Sequence, residues 1–274
     1  MPELPEAENI GLALKRVLSG RTITAVEVFS PAMRSSLEPL KTARLEGKSI
    51  LDIRRRGRYL IAVLSDGRGL LMHFGMSGVV RVEPSNVPRR KHEHVFIHLS
   101  DGKIFRFECT RRFSLLEVHE LSAPGRMPEK LAALGPEPFS EEFNSSYLQQ
   151  KASGRNTPVK TFIMDNAVVT GIGNIYATET LFASGIHPVR PAKTLSAEEW
   201  NLIISNARSI LKKAIASGGS SISDFLNVDG SEGKFAQELK VYGQKGNPCP
   251  VCGNLIECIK TGGRSSCFCP ECQK

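Results

Sequence analysis

Four cysteines near the C-terminus have the spacing of a metal site. Cys249-Pro-Val-Cys252 and Cys269-Pro-Glu-Cys272 are two C-x-x-C pairs separated by sixteen residues. Paired thiolates at this spacing bind one tetrahedral Zn²⁺, and four of them leave no open coordination position. We therefore predict one structural zinc ion per chain, held by Cys249, Cys252, Cys269 and Cys272. A disulfide or redox pair is the alternative, but two matched pairs are more than a dithiol site requires.

The remaining cysteines have no comparable pattern. Six of the seven cysteines fall within residues 249–272, and in a reducing compartment such clustering favours metal over disulfides. Cys267 competes with Cys269 as a ligand, but only Cys269 keeps the two-residue spacing to the last cysteine. We expect the other three cysteines to be small buried or spare thiols: Cys109, Cys258 and Cys267.

The N-terminus offers a candidate nucleophile. Removal of Met1 would leave Pro2 with a free secondary amine. An α-amino group ordinarily has a pKa of about 7.7 to 8.0, so a usable fraction is unprotonated at neutral pH. Attack on a sugar C1′ would give an iminium that serves as an electron sink for elimination, and the adjacent Glu3 could act as acid and base. The same residues also suit an ordinary helix start, with Pro in the first turn and acids at the positive dipole end.

Composition limits the class of protein. The chain has 274 residues, with 36 Lys and Arg against 28 Asp and Glu, a net charge of +8. This excess favours a polyanionic partner, with nucleic acid ahead of a membrane surface or a merely basic housekeeping enzyme. No run approaches the roughly 18 apolar residues of a membrane helix, which excludes a transmembrane protein. The acidic N-terminus lacks the basic region of a signal or transit peptide, so we expect a cytoplasmic protein.

The elements that position these groups begin with a helix and then become mostly β. Residues 2–19 carry apolar side chains at helical spacing and end at Gly20, which predicts an amphipathic first helix. Eight short β-branched runs separated by turn signals follow and predict an antiparallel sandwich or barrel. These runs cover residues 22–29, 49–54, 59–64, 70–74, 79–82, 94–99, 103–107 and 114–118.

The second half has helical periodicity. A Pro/Gly stretch at residues 134–138 fits a linker between domains. The pattern beyond it predicts helices over residues 141–151, 159–165, 174–184 and 196–216. The flanks of a terminal β-hairpin are predicted at 242–253 and 256–268, with Gly262-Gly263-Arg264 at or near the tip. We predict an α+β fold in three parts: a β-sandwich with a leading helix (1–132), a helical domain (133–240) and a zinc-binding hairpin (241–274).

Several short motifs occur together and in a fixed order. They are Met1-Pro-Glu-Leu-Pro-Glu, His73-Phe-Gly-Met-Ser-Gly78, Arg111-Arg-Phe113, Gly171-Ile-Gly-Asn-Ile-Tyr-Ala177, Phe235-Ala-Gln-Glu-Leu239 and the cysteine pairs. With these motifs the sequence closely resembles the formamidopyrimidine-DNA glycosylases, in the larger family that includes endonuclease VIII. The resemblance spans essentially the whole chain.

The resemblance implies a reaction. Pro2 is implied as the Schiff-base nucleophile and Glu3 as the catalytic acid and base of a glycosylase for oxidised purines. Such an enzyme releases the flipped base and then cleaves the DNA strand by β,δ-elimination. The implied partner is double-stranded DNA with an oxidised base or an abasic site, bound by a monomer that works at the bacterial nucleoid and not at a membrane.

The resemblance also implies a set of DNA contacts. Residues resembling those that fill the gap left by the flipped base are Met76, Arg111 and Phe113. The residues that resemble other DNA contacts are His92, Arg155, Lys160 and Asn174, of which Asn174 follows the turn of a helix-two-turns-helix element and faces a phosphate. Arg58 and Arg264 resemble residues that reach the phosphates next to the lesion. Residues 225–242, with Gly230 and Gly233 as hinges, resemble the mobile loop and the following helix that close over the flipped base.

Two places depart from the family pattern. Arg58 stands in Arg55-Arg56-Gly57-Arg58-Tyr59 where the family usually has lysine. Cys109-Thr110 precedes Arg111, where the family usually has Asp-Pro or a similar pair, and Ser114 follows Phe113 in place of the usual glycine. Both departures bear on the lesion spectrum.

Two functions are alternatives to a glycosylase for oxidised purines: an endonuclease VIII-like glycosylase for oxidised pyrimidines and a non-catalytic protein that binds damaged DNA. The Pro2-Glu3 pair argues against the second.

Overall fold

The computed structural model of the protein describes residues 2–121, 127–220 and 234–274. The chain divides into two compact units. The first unit comprises Met1–Ala132 with Gly218–Gly233, and the second comprises Ala133–Ser217 with Lys234–Lys274. Each unit has its own core of buried apolar side chains.

Helix α1, Leu4–Leu18, opens the first unit. Glu3 is its N-cap residue, and Glu3 and Glu6 form a capping box in which the Glu3 amide donates to Glu6 Oε2 at 2.9 Å. The apolar side chains of the helix recur at helical spacing and are buried: Ile10, Leu14 and Leu18. The predicted first helix is therefore present, with its buried stripe turned into the core of the first unit.

In the described part of the first unit, eight strands and one short α-helix follow α1. They are β1 (Ile23–Val28), α2 (Glu38–Thr42), β2 (Ile50–Arg56), β3 (Tyr59–Leu64), β4 (Arg68–His73), β5 (Gly78–Pro84), β6 (Glu93–Leu99), β7 (Lys103–Cys109) and β8 (Leu115–Glu120). These strands form two antiparallel four-stranded sheets with the orders β1-β6-β7-β5 and β2-β3-β4-β8. The predicted antiparallel sandwich is confirmed, whereas α2 was not predicted because five residues carry too little periodicity.

The central strands of the second sheet are buried along almost their whole length. Five consecutive residues are buried in both β3 and β4. Their apolar side chains on both faces are covered, and α1 packs against β2 and β3. The hairpin turn between β2 and β3 consists of Gly57 and Arg58, and Gly57 has a φ of +57°, a backbone conformation that glycine adopts without strain.

The second unit is mainly helical. Its helices are α3 (Ser145–Ala152), α4 (Val159–Ile163), α5 (Asn174–Ala183) and α6 (Ala197–Ala216), with short 3₁₀ turns at Glu129–Leu131 in the first unit and at Ala192–Thr194 and Phe235–Glu238 in the second. Helix α3 begins later than predicted because the Asn144 side chain accepts a hydrogen bond from the Tyr147 amide at 2.9 Å and caps the helix there. Phe162, Tyr176 and Trp200 are buried together in the core of this unit.

A β-hairpin ends the second unit. Strands β9 (Glu257–Thr261) and β10 (Arg264–Phe268) pair antiparallel across a turn of Gly262 and Gly263, which have φ values of +56° and +76°. This turn requires positive φ at both positions, which explains the two glycines. The predicted hairpin tip is confirmed, but residues 242–253 form turns and no strand. The prediction that this segment is one flank of the hairpin is wrong, because its backbone folds around Cys249 and Cys252 rather than along β9.

Two of the predicted spare thiols form a disulfide. Cys258 on β9 and Cys267 on β10 face each other directly in the hairpin, with Cα atoms 4.0 Å apart, and their sulfurs are bonded. The expectation of free thiols at these positions was wrong because sequence spacing does not reveal which residues of two strands lie opposite each other. Cys109, in the first unit, is a free buried thiol as predicted.

Candidate functional site

The start of α1 places Pro2 and Glu3 at the beginning of the first unit. Both residues are buried, and Glu3 is 4% exposed. Glu6, which caps the Glu3 amide through Oε2, also accepts hydrogen bonds through Oε1 from the Ser220 amide at 2.7 Å and the Ser220 hydroxyl at 2.9 Å. The two carboxyl groups are therefore held near the helix N-terminus, where the positive end of the helix dipole favours negative charge.

Two neighbouring loops of the first unit carry the residues that resemble the family's gap-filling group. We name them the wedge loops: residues 74–77, between β4 and β5, and residues 110–114, between β7 and β8. Met76 and Phe113 are each 50% exposed, and the Arg111 guanidinium lies 5.3 Å from the centroid of the Phe113 ring. The structure thus brings Met76, Arg111 and Phe113 together as an exposed apolar and cationic group.

The wedge loops lie in direct contact. The Arg111 amide donates to Ser77 Oγ at 3.1 Å, and the Ser114 hydroxyl donates to the Phe74 carbonyl oxygen at 2.7 Å. A Cβ atom on Gly75 would lie 2.5 Å from the Phe113 carbonyl oxygen, so only glycine fits there. The glycine of the His73-Phe-Gly-Met motif is therefore required by the close approach of the two loops.

A buried histidine supports the first wedge loop. His73 Nδ1 accepts a hydrogen bond from the Gly75 amide at 3.1 Å, and the His73 ring packs against Tyr59 with centroids 4.7 Å apart. Burial, together with the positive charges of Arg34 and Arg58, lowers the pKa of His73 to about 4. The imidazole is therefore neutral at physiological pH, which the acceptor role of Nδ1 requires.

Arg58 and His92 lie on other loops of the first unit. Arg58, in the turn between β2 and β3, is buried. His92 is partly exposed at the end of the loop before β6, and its carbonyl oxygen accepts from the Cys109 amide at 2.9 Å. The buried Arg106 donates to the carbonyl oxygen of Pro84 at the end of β5 and to those of Val87 and Pro88 in the same loop.

Lys160 is the most buried of the basic residues in the second unit that were predicted to contact DNA. It is 1% exposed, and its Nζ donates to Asn174 Oδ1 at 2.7 Å, to the Ser265 carbonyl oxygen at 2.8 Å and to Ser266 Oγ at 2.8 Å. The structure therefore joins Lys160 on α4, Asn174 at the N-terminus of α5 and strand β10 into one cluster. Asn174 is partly exposed at the first turn of α5, where the positive end of the helix dipole favours an anion.

Arg155 and Arg264 lie on the same surface cavity of the second unit. This cavity has a volume of about 330 Å³ and is also lined by Thr161 and Asp165. Arg264 is exposed at the start of β10, beside the hairpin turn, and Gly262 of that turn sits close against Thr161. The lining thus carries two arginines against one acid, and guanidinium groups suit a phosphate.

The four predicted zinc ligands converge. The sulfur atoms of Cys249, Cys252, Cys269 and Cys272 all lie within 4.8 Å of one another. Sulfurs around a tetrahedral zinc ion are separated by about 3.8 Å, since each Zn–S bond is about 2.3 Å. The separations of 3.4 Å between Cys252 and Cys269 and of 3.9 Å between Cys249 and Cys272 are close to that value. The donor set and its spacing therefore fit one Zn²⁺, and Cys267, bonded in the disulfide, is no competing ligand.

Sequence reasoning missed three residues that organise these sites. Glu6, His73 and Ser114 are buried polar residues whose hydrogen bonds hold, respectively, the start of α1, the first wedge loop and the contact between the wedge loops. Ser114 had a signal, since it stands where the family usually has glycine. Met1 and residues 221–233, which include Gly230 and Gly233, lie outside the described residues.

Three family models match the chain. The formamidopyrimidine-DNA glycosylase N-terminal domain matches residues 1–116, and the formamidopyrimidine-DNA glycosylase H2TH domain matches residues 134–226. A zinc finger found in FPG and IleRS matches residues 246–274, the segment that holds the four clustered sulfurs. The metal that this last match implies is zinc, in agreement with the donor set.

Relatives cover the full length of the chain. The formamidopyrimidine-DNA glycosylase of Photobacterium profundum is 43% identical over 274 residues, and that of Vibrio cholerae is 44% identical over 273 residues, each with 100% of both chains covered. Among solved structures, a Lactococcus lactis Fpg variant in complex with a Fapy-dG containing DNA is 33% identical, with a TM-score of 0.89 and 100% of both chains covered. The Lactococcus lactis Fpg with an abasic site containing DNA has a TM-score of 0.88 at 33% identity, with 99% of both chains covered.

A sandwich unit, a helical unit and a four-cysteine hairpin that all match in this way define a DNA repair glycosylase with a zinc finger. Within that class, the chain belongs to the formamidopyrimidine-DNA glycosylase family. None of the helices in the described part of the chain has the length and apolar composition of a membrane span.

Proposed function

We propose that this enzyme removes oxidised purines, 8-oxoguanine and formamidopyrimidines, from double-stranded DNA and then cleaves the strand at the abasic site by β,δ-elimination. The observation that carries the proposal is the start of α1, where Pro2 and Glu3 lie buried directly ahead of the helix. The names of the relatives and the lesions in their DNA complexes support the same substrate class.

Pro2 is the nucleophile of the proposed reaction. After removal of Met1, its secondary amine attacks C1′ of the damaged nucleotide, and the base leaves with its bonding electron pair. The nitrogen loses its proton in this attack, and the sugar ring then opens: O4′ leaves C1′ with its bonding electron pair and takes up a proton, which gives an iminium. Its positive charge is fixed because the nitrogen has no further proton to lose. The carboxyl groups of Glu3 and Glu6 at the helix start supply negative charge that stabilises this cation.

Glu3 moves protons in the proposed reaction. As an acid it donates a proton while the sugar ring opens, and as a base it removes a proton from C2′. The electrons of that C–H bond form a double bond and expel the 3′ phosphate, and a second elimination expels the 5′ phosphate. Removing the carboxylate is expected to slow base release most, because a preformed abasic site no longer needs the base to leave.

The two units bind DNA in different ways in this proposal. Met76, Arg111 and Phe113 on the wedge loops fill the space left by the flipped base, because a base inside a duplex cannot reach a protein amine. In the second unit, Asn174, Arg155 and Arg264 bind phosphates, and Lys160 acts from behind Asn174. Arg58 and His92 add further phosphate contacts from the first unit.

Three properties of the enzyme stay predictions. We expect a monomer, with domain boundaries at 132/133 and 240/241. We expect it in the bacterial cytoplasm, acting on nucleoid DNA. Each has a simple measurement, namely sedimentation of the zinc-loaded protein, limited proteolysis and fractionation of cells.

Borohydride trapping tests the reaction. The enzyme is incubated with a duplex bearing 8-oxoguanine, with a matched duplex bearing an oxidised pyrimidine, and with one bearing an abasic site. We expect a covalent adduct with the purine and abasic duplexes, linked to Pro2 in a chain that lacks Met1 by intact mass. Preferential trapping on the oxidised pyrimidine favours the endonuclease VIII-like alternative, and binding without any adduct favours a non-catalytic protein.

Three variants assign the steps. Pro2→Gly is expected to impair both base release and strand cleavage, and Glu3→Gln to slow base release by about a hundredfold or more while sparing cleavage of an abasic site. Pro5→Gly is the matched control, because it changes another proline of the same segment without altering the N-terminal amine. A fully active enzyme that retains Met1 contradicts the assignment of the nucleophile.

A further inference from the structure

The contact between the wedge loops depends on a serine that is fully buried. Ser114 follows Phe113 at the end of the second wedge loop, directly before β8, and has no solvent exposure. Its Oγ donates to the Phe74 carbonyl oxygen at 2.7 Å, and Phe74 precedes Gly75 and Met76 in the other loop. One hydroxyl group therefore links the backbone beside Met76 to the backbone beside Phe113.

The linked carbonyl is a junction of the first wedge loop. The Gly78 amide also donates to the Phe74 carbonyl oxygen, at 2.7 Å, and closes the turn that presents Met76. A Cβ atom on Gly78 would lie 2.4 Å from both that oxygen and Ser114 Oγ, so the three groups are in tight contact. A shift of the Ser114 hydroxyl would therefore displace the turn that presents Met76, because packed groups at this distance do not move independently.

Cys109 fixes the serine from the other side. Its Sγ lies 3.0 Å from Ser114 Oγ, and the Cys109 side chain is completely buried. The Cys109 backbone is held in turn, since its amide donates to the His92 carbonyl oxygen at 2.9 Å and its carbonyl oxygen lies 2.9 Å from His94 Nε2. Cys109 and Ser114 thus bracket the second wedge loop at its two ends.

Both residues stand at positions where this chain leaves the family pattern. A glycine after Phe113 has no hydroxyl and cannot make the link to Phe74. We propose that Ser114, supported by Cys109, is a positioning residue that fixes the two wedge loops to each other, so that Met76 and Phe113 enter the DNA as one rigid group. This inference rests on the proposed function of the wedge loops in base extrusion, and it assigns to Ser114 a role in the rate of that step.

The test compares Ser114→Ala with the parent enzyme on two substrates. Under single-turnover conditions, excision of 8-oxoguanine from a duplex requires the base to be extruded, whereas cleavage of a preformed abasic site does not. Loss of one buried hydrogen bond is expected to slow excision about tenfold and abasic-site cleavage less than twofold. Ser184→Ala is the matched control, because the buried Ser184 hydroxyl also donates to a carbonyl oxygen, that of Thr180, but in the second unit.

A double-mutant cycle separates positioning from general destabilisation. If Ser114 acts through Met76, the Ser114→Ala change costs less than twofold in excision once Met76→Ala is present. Ser114→Gly, which restores the usual family residue, removes the same hydroxyl and is expected to reproduce the alanine result if the alanine variant does not fold.

The outcomes distinguish this inference from the proposed function. An active parent with equal losses on both substrates for Ser114→Ala, or with effects of Ser114→Ala and Met76→Ala that multiply, overturns the inference and leaves the proposed function standing. A parent that neither excises the base nor forms a trapped adduct overturns both.

Discussion

Because the ammonium group of Lys160 is buried, we predict that its removal lowers the free energy of unfolding. In Lys160→Met, a side chain of similar length replaces one that donates to Asn174, Ser265 and Ser266 at 2.7 to 2.8 Å. Each hydrogen bond from a charged donor contributes about 1.5 to 3 kcal/mol, but removing the ammonium also removes the cost of burying it. What remains is the cost of acceptors left without that donor, about 1 to 3 kcal/mol for each that water cannot reach. We expect the second unit to lose about 3 kcal/mol in free energy of unfolding.

The assay is thermal and urea unfolding of the zinc-loaded protein. For a unit of this size, about 3 kcal/mol corresponds to a decrease in Tm of about 10 °C. Lys151→Met is the matched control, since Lys151 is an exposed lysine on α3 of the same unit. We expect it to change the free energy of unfolding by less than about 0.5 kcal/mol.

DNA binding gives a second readout for the same variant. A lysine that itself neutralises a phosphate contributes about 0.9 to the slope of log K against log salt. Lys160 is 1% exposed and engaged by protein acceptors, so we expect Lys160→Met to weaken binding through Asn174 without changing that slope. A stability loss below about 0.5 kcal/mol, or a slope reduced by about one unit, refutes the reasoning that Lys160 acts from the interior.

Three further predictions concern single groups. Chelation of zinc, or Cys269→Ser, is expected to abolish both zinc content and DNA binding, because the hairpin is too small to fold unaided; zinc that remains stoichiometric in Cys269→Ser by atomic absorption contradicts the ligand set. Arg58→Lys is expected to change activity less than twofold and Arg58→Ala to lower it in parallel on 8-oxoguanine and abasic duplexes; a lysine variant much faster than the parent on 8-oxoguanine alone shows that the guanidinium crowds the base. The pKa of His73 in the folded protein is lowered to about 4, so the unfolded chain binds more protons between pH 4 and about 6.5. The free energy of unfolding is therefore expected to fall by up to about 3 kcal/mol as pH decreases through this window. Urea unfolding at several pH values measures the effect, and the same pH dependence in His73→Asn excludes His73 as its source.

Much of the framework was predictable from local sequence. The turn glycines and β-branched runs predicted the eight strands of the sandwich, because β-branched composition and turn chemistry are local properties. The cysteine spacing predicted the zinc ligands for the same reason, since each C-x-x-C pair is closed by its own short turn.

What the sequence did not reveal depends on pairing across distance. Cys258 and Cys267 form a disulfide because β9 and β10 place them opposite each other, and strand register cannot be obtained from spacing. Lys160 resembled a surface DNA contact but is enclosed by α5 and β10, which approach it only in the folded unit. Ser114 likewise acquires its partner from a loop forty residues earlier. In each case the partner atoms are distant in sequence, so composition and periodicity do not predict these contacts.

The hairpin disulfide divides the seven cysteines into three chemically distinct groups. Two are joined to each other, four converge on the metal, and Cys109 is sealed in the sandwich. A small alkylating electrophile should therefore find no fast-reacting sulfur in the zinc-loaded, oxidised enzyme. Stripping the metal exposes four sulfurs to the reagent, subsequent treatment with a reductant exposes two more, and the seventh reacts only when the sandwich opens. Counting labels by mass thus reports separately on metal loading, on the hairpin cross-link and on unfolding of the first unit within a single sample.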